Sequence, residues 1–219
     1  MTSLKTISAA VAMLVAAAAP FAARATGVEV FNEGFNDVNS LPGWVQVNNS
    51  VPPGNGWFQG NTGIFSAQAG AADSYIAADF LSAQYGSGMV DTWLITPVVN
   101  LSGASTFSFF TRSAGDPGFS DKLQVYLGAG SGTDPSGFTT ILAGAGNGSY
   151  PTAWTQFSTD FDFTGAARFA FHYVGDASTL NYIGIDSVKV ISAVPEPASA
   201  LMLGLGLGAV GLLRRRSYK

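Results

Sequence analysis

Phe157-Ser158-Thr159-Asp160-Phe161-Asp162-Phe163-Thr164-Gly165-Ala166-Ala167-Arg168-Phe169-Ala170-Phe171-His172-Tyr173 decides the fold class. Phe157, Phe161 and Phe163 fall on one side of an extended chain, with Ser158, Asp160 and Asp162 on the other. After Gly165 the pattern resumes: Phe169, Phe171 and Tyr173 alternate with Arg168, Ala170 and His172. A two-residue period with aromatic residues on the repeating face marks half-buried strands. Working outward, Leu123, Val125 and Leu127 alternate with Gln124 and Tyr126, and Phe107 and Phe109 flank Ser108. Trp93-Leu94-Ile95-Thr96 is a short apolar run stopped by Pro97. Glycine- and proline-rich turns separate these runs: Asp116-Pro117-Gly118, Gly128 to Gly132, Asp134-Pro135-Ser136-Gly137 and Gly144 to Gly148. No interior segment sustains a helical period; Ala71 to Ala83 offers at most a helical turn. No fixed-period repeat is present. Short strands at this spacing predict an all-β, two-sheet antiparallel sandwich.

The two ends read differently. Lys5 precedes an apolar run from Ile7 to Phe21, and Ala23-Arg24-Ala25 has the small-x-small form of a cleavage site. Residues 1–25 are therefore predicted to be a signal peptide, with the mature start near Thr26. The other end runs Val194-Pro195-Glu196-Pro197, then sixteen uncharged residues from Ala198 to Leu213, then Arg214-Arg215-Arg216. The prolines push a helix start beyond them, and Ser199 suits an N-cap. A helix over 198–213 spans about 24 Å, short of a hydrocarbon core of about 30 Å. Arginine snorkelling and local thinning cover the difference. Arg214, Arg215 and Arg216 act as a membrane stop that stays cytoplasmic. The arrangement of residues 194–219 resembles the PEP-CTERM sorting tail of exported Gram-negative proteins. That resemblance implies transit through the cytoplasmic membrane and cutting near Val194 to Pro197 by an exosortase-type membrane peptidase.

Between the ends, residues 26–193 form one expected domain. Its basic side chains are Arg112, Lys122, Arg168 and Lys189, against thirteen acidic ones, a net charge of −9. Such a surface offers no phosphate-neutralising patch and excludes nucleic acid as a partner. It suits divalent cations. The chain has no cysteine. That removes thiol catalysis, zinc–thiolate sites and iron–sulfur clusters, and leaves stability to the core or to a metal.

Several interior segments carry a second resemblance: Phe31-Asn32-Glu33-Gly34-Phe35, Leu41-Pro42-Gly43-Trp44, Gly56-Trp57, Asp91-Thr92-Trp93-Leu94-Ile95-Thr96-Pro97, Trp154, Phe169-Ala170-Phe171-His172-Tyr173 and Tyr182-Ile183-Gly184-Ile185-Asp186. Together they are similar to the choice-of-anchor J domain, a relative of cleaved-adhesin and MAM-like jelly rolls. The resemblance implies a jelly-roll sandwich, surface display and, in some members, calcium. His172 stands where arginine is expected before Tyr173, and Ser187 where a second aspartate is frequent.

Calcium can also be weighed from the residues themselves. If Phe31 and Phe35 are core residues of one strand, Glu33 is drawn inward and needs a partner. Ile183 and Ile185 are odd-numbered whereas Val188 and Val190 are even, so the alternation slips around Asp186 and predicts a bulge. Bulges free backbone carbonyls, and calcium takes six to eight hard oxygens. The resemblance to jelly rolls, in which an early-strand acid and a late-strand acid meet at one metal, joins the two positions: the expectation is a structural Ca²⁺ on Glu33 and Asp186, with Asp37 or Asp121 as helpers. The alternative is that Glu33 pairs with a cation or a backbone N–H and Asp186 caps a turn.

No catalytic set is expected. His172, the sole histidine, is read on an outer strand face, without a Gly-x-Ser-x-Gly elbow. Asp160 and Asp162 share a strand face and read as surface acids rather than a glycosidase pair. Trp93 is read as core. Trp44 and Trp57 follow glycine in loops and are the candidates for carbohydrate contact, against a packing role. Two function classes stay open: a non-enzymatic structural or adhesive protein of the extracellular matrix, and a carbohydrate-binding module for exopolysaccharide.

Overall fold

The computed structural model describes residues 27–146 and 149–194. Among the described residues ten strands occur in order: β1 (Val28–Glu33), β2 (Val45–Asn48), β3 (Phe58–Gln59), β4 (Ile76–Asp79), β5 (Met89–Ile95), β6 (Val99–Ser113), β7 (Leu123–Ala129), β8 (Thr140–Ala145), β9 (Thr155–Asp176) and β10 (Tyr182–Ser192). All pairings are antiparallel. Among the described residues the only helical pieces are single 3₁₀ turns. The expected signal peptide, the 198–213 helix and the Arg214–Arg216 stop lie outside the described residues.

The decisive stretch is the hinge of the molecule. The first half of β9, up to Ala167, pairs with β6. Beyond it the same strand inserts between β5 and β7. Gly165, at φ +119°, sits at the change of partner, a backbone setting that favours glycine. One layer therefore holds β3, β4, β10, β6 and the start of β9, with β1 added along β10. The other holds β2, β5, the end of β9, β7 and β8.

The core lies between the layers. Phe107 of β6 stacks on Phe169 of β9 at 4.4 Å, and Phe109 meets Phe171 edge-on at 5.2 Å. All four are buried. Phe157, Phe161 and Phe163 are half-buried, packed at the margin of this core. A second, smaller cluster closes one outer face. Phe65, Tyr75 and Tyr182 pack with Trp154, and the hydroxyls of Tyr75 and Tyr182 lie 3.1 Å apart. A third covers the outer face of β5 and β9, where Phe138 lies over Trp93, Ile95 and Ala170. The Ala71–Ala83 segment holds β4 and a short 3₁₀ turn, Phe80–Ser82, capped by Asp79.

Candidate functional site

The bulge forms at the predicted place. Between β10 and β6, Asp186 pairs with Phe110 and Lys189 with Ser108, so β10 carries one extra residue. Ser187 takes it up in the left-handed region at φ +52°. The slip lets Ile185, Asp186 and Val188 all be buried.

Asp186 is fully enclosed and works as a clasp. Its Oδ2 accepts from the backbone N–H of Gln68 at 2.9 Å and of Ala69 at 3.1 Å. Its Oδ1 accepts from the N–H of Ser187. Ser187 also donates to Gln68 Oε1 at 2.8 Å. Burial pushes the Asp186 carboxyl above its usual range, opposed by the N–H donors of Ala69, Ser187 and Gln68.

Glu33 reaches the same place by a different local route from the one the alternation implies. β1 ends at Glu33, and Phe35 is buried through a left-handed turn at φ +51° rather than by continuing the strand. The turn is closed by Glu33 Oε1, which accepts from the Phe35 N–H at 2.8 Å. Glu33 pairs across the ladder with Val188, two residues from Asp186. The two acids, with Asn32, Gly34, Asn36, Ala69, Gly70, Ser187 and Lys189, line one open cleft of about 560 Å³. Lys189 is turned aside by an ion pair to Glu29 at 2.9 Å.

These donors fit calcium better than a transition metal. The side chains that could ligate are hard-oxygen groups, the Glu33 carboxylate and the Asn36 amide, beside an Asp186 carboxylate that is enclosed and accepts backbone N–H bonds on both oxygens. Among the described residues, no three His, Cys, Asp or Glu side chains converge on one point. A calcium ion here would complete its shell from carbonyls and water.

Two expected helpers are elsewhere. Asp37 caps its own turn, accepting from the Asn39 N–H at 3.0 Å. Asp121 accepts from the N–H of Asn181, five residues before Asp186 and roughly 17 Å away along an extended strand.

The two tryptophans sit in different surroundings. Trp57 is 4% exposed in the main core, so its ring offers no face to a sugar. Gln46 holds it there, accepting from the Trp57 N–H at 2.9 Å and donating to its carbonyl at 3.2 Å. Trp44 is half-buried against Phe31 and Phe35, at 5.8 and 5.2 Å. Trp93 is core, as expected.

His172 does lie on the outer face of its strand, but that face is covered. Its ring stacks on Trp93 at 3.8 Å, and its Nε2 is 2.8 Å from Asp91 Oδ1, which also accepts from Trp93 Nε1. Nε2 is therefore the protonated nitrogen, and Nδ1 is buried without a partner. Burial holds the imidazole below its usual pKa, against the Asp91 hydrogen bond and charge. Among the described residues no serine hydroxyl bonds to this histidine. Asp160 and Asp162 are exposed, and Asp160 accepts from Thr106 at 2.6 Å.

A separate polar pocket carries no sequence motif. Asp116-Pro117-Gly118 is a turn, as the sequence indicates, but it brings Asp116 and Phe119 to the rim of a cavity floored by Asp121. No motif marks it, because its walls come from segments some thirty residues apart in the chain.

Comparison with known proteins bears on both ends of the reading. Residues 193–217 match the PEP-CTERM protein-sorting motif, directly after the last strand. No curated protein matches the sequence significantly. The fold is similar to the K3 cleaved adhesin domain of Lys-gingipain from Porphyromonas gingivalis W83. The TM-score is 0.56 and the identity 22%, over 77% of this chain and all of that one. The K1 cleaved adhesin domain of the same protein gives 0.56 and 23%, over 75% and 98%. The K2 domain gives 0.53 and 17%, over 73% and 98%. Likeness at this identity establishes a shared all-β sandwich.

Proposed function

We propose that this chain is an exported, surface-sorted, non-enzymatic protein of the extracellular or exopolysaccharide matrix, with a jelly-roll domain in a structural or adhesive role. The observation that carries the reading is the sorting motif at 193–217. It begins one residue after β10 ends at Ser192, so a cut near Pro195-Glu196-Pro197 releases the sandwich whole. The Ala198–Leu213 segment holds the protein in the cytoplasmic membrane until an exosortase acts. Similarity of the fold to cleaved adhesin domains supports the adhesive role by analogy alone.

The residues at the bulge suit a structural part for calcium. When bound, the ion would neutralise Glu33 and the enclosed Asp186 and tie the end of β1 to β10. Asp186 already holds the 66–70 loop, and Glu33 the turn at Phe35. The proposed role of the site is therefore to stiffen the domain outside the cell, where no disulfide does so.

The test is sorting in a Gram-negative host that has an exosortase. The wild-type chain is expected at the surface or in the medium. A chain with alanine at Val194, Pro195, Glu196 and Pro197 is expected to stay in the membrane fraction. Equal distribution of the two would overturn the proposal.

A further inference from the structure

The pocket floored by Asp121 lies apart from the bulge, and neither the sorting motif nor the calcium reading uses it. It has about 200 Å³ of space, lined by Ser113, Asp116, Phe119, Ser120, Asp121, Tyr150 and their neighbours. Asp121 is 4% exposed. Its Oδ1 accepts from the Tyr173 hydroxyl and from the Asn181 N–H at 2.9 Å. Its Oδ2 accepts no hydrogen bond from the described residues. That oxygen is left free to accept a hydrogen bond from a group entering the pocket. Asn181 also fixes Asp116, donating from Nδ2 to Oδ2. Both acids are thus oriented, and among the described residues neither forms a salt bridge.

The other walls are unlike a metal cage. Phe119 stands at the rim, 44% exposed. Tyr150 is locked, because Thr111 Oγ1 donates to the Gly184 carbonyl and so receives the Tyr150 proton at 2.6 Å. The Tyr150 oxygen is left as an acceptor. The pocket thus joins acceptors awaiting O–H donors, small hydroxyl side chains and one exposed aromatic face. It is too small for a drug-sized ligand, and the unopposed acids disfavour anions.

We propose that this pocket binds a single neutral sugar ring, with Phe119 packed on its C–H face and Asp121 Oδ2 accepting from its hydroxyls. The inference does not depend on the sorting or calcium readings. It relocates carbohydrate contact from Trp44 and Trp57 to the Phe119–Asp121 pocket.

The test is saturation-transfer NMR and titration on the full chain, held in a detergent without a sugar headgroup. The probes are the methyl glycosides of glucose, galactose, mannose, xylose and N-acetylglucosamine, with methyl glucuronide as the anion and Ca²⁺ alone as the cation. At least one neutral glycoside is expected to bind and glucuronide to fail. Phe119→Ala is expected to weaken binding about tenfold while keeping the unfolding midpoint, since the ring is exposed. Asp121→Asn is expected to weaken it further. No neutral glycoside binding, or binding unchanged in Phe119→Ala, would overturn the proposal. So would Ca²⁺ binding that needs Asp116 and Asp121, ignores Phe119 and excludes the glycosides.

Discussion

Asp186→Ala is the sharpest probe of the clasp. The substitution strips an acceptor from the N–H groups of Gln68, Ala69 and Ser187. An orphaned buried donor costs about 1–3 kcal/mol. Gln68 and Ala69 are exposed residues whose N–H groups can turn to water, so the low end applies to them. Relief of a desolvated charge offsets part of the loss, because burial pushes this carboxyl up. The net loss is about 2–4 kcal/mol, a fall of roughly 6–12 °C in midpoint for a domain of this size. Asp186→Asn keeps the volume but turns an amide N–H₂ toward N–H donors, and falls between. Urea and thermal unfolding of the calcium-free protein measure all three. A loss under about 0.5 kcal/mol for the alanine variant, or an asparagine variant equal to wild type, would refute the clasp. Repeating the series in calcium separates the metal from the hydrogen bonds. At one hundred times its Kd the ion adds about 2.7 kcal/mol. That increment is expected to vanish in Asp186→Ala and in Glu33→Gln, which keeps an acceptor for the Phe35 N–H.

Three further outcomes follow from packing and protonation. Phe107→Ala removes a buried ring stacked on Phe169 and is expected to cost about 3–5 kcal/mol in urea unfolding. Trp57→Phe deletes an indole N–H that is buried without a partner, so it is expected within about 1 kcal/mol of wild type, whereas Trp57→Ala loses about 3–5. Because the folded pKa of His172 is held below the unfolded value of 6.5, its contribution is present above pH 6.5 and is lost as pH falls through the folded pKa. Wild type is therefore expected to lose stability relative to His172→Phe below pH 6.5, and parallel stability curves would contradict this.

The strands of the core were legible because their aromatic residues repeat every second position on one face. The bulge was legible because Ile183 and Ile185 are out of phase with Val188 and Val190. β4 was not: Ile76, Ala77 and Ala78 are all buried, between the main core and the tyrosine cluster, so no alternation shows. Trp57 misled because a tryptophan after glycine in a loop says nothing about the Gln46 side chain that anchors it. Phe35 misled because strand logic carries Glu33 and Phe35 to one side, whereas a carboxylate-to-N–H turn buries Phe35 by itself. The Asp121 pocket was hidden for a third reason. Its walls come from residues 113–121, from the end of β6 to just before β7, and from residues 149–152 ahead of β9, and sequence spacing does not reveal such long-range assembly.

Sorting is best tested by the intact mass of the protein recovered from the surface of an exosortase-bearing host. The expected product begins near Thr26 and ends near the Val194–Pro197 motif, lacking Ala198 to Lys219. A surface-exposed chain that keeps its C-terminus, or a full-length chain confined to the cytoplasm, would contradict it.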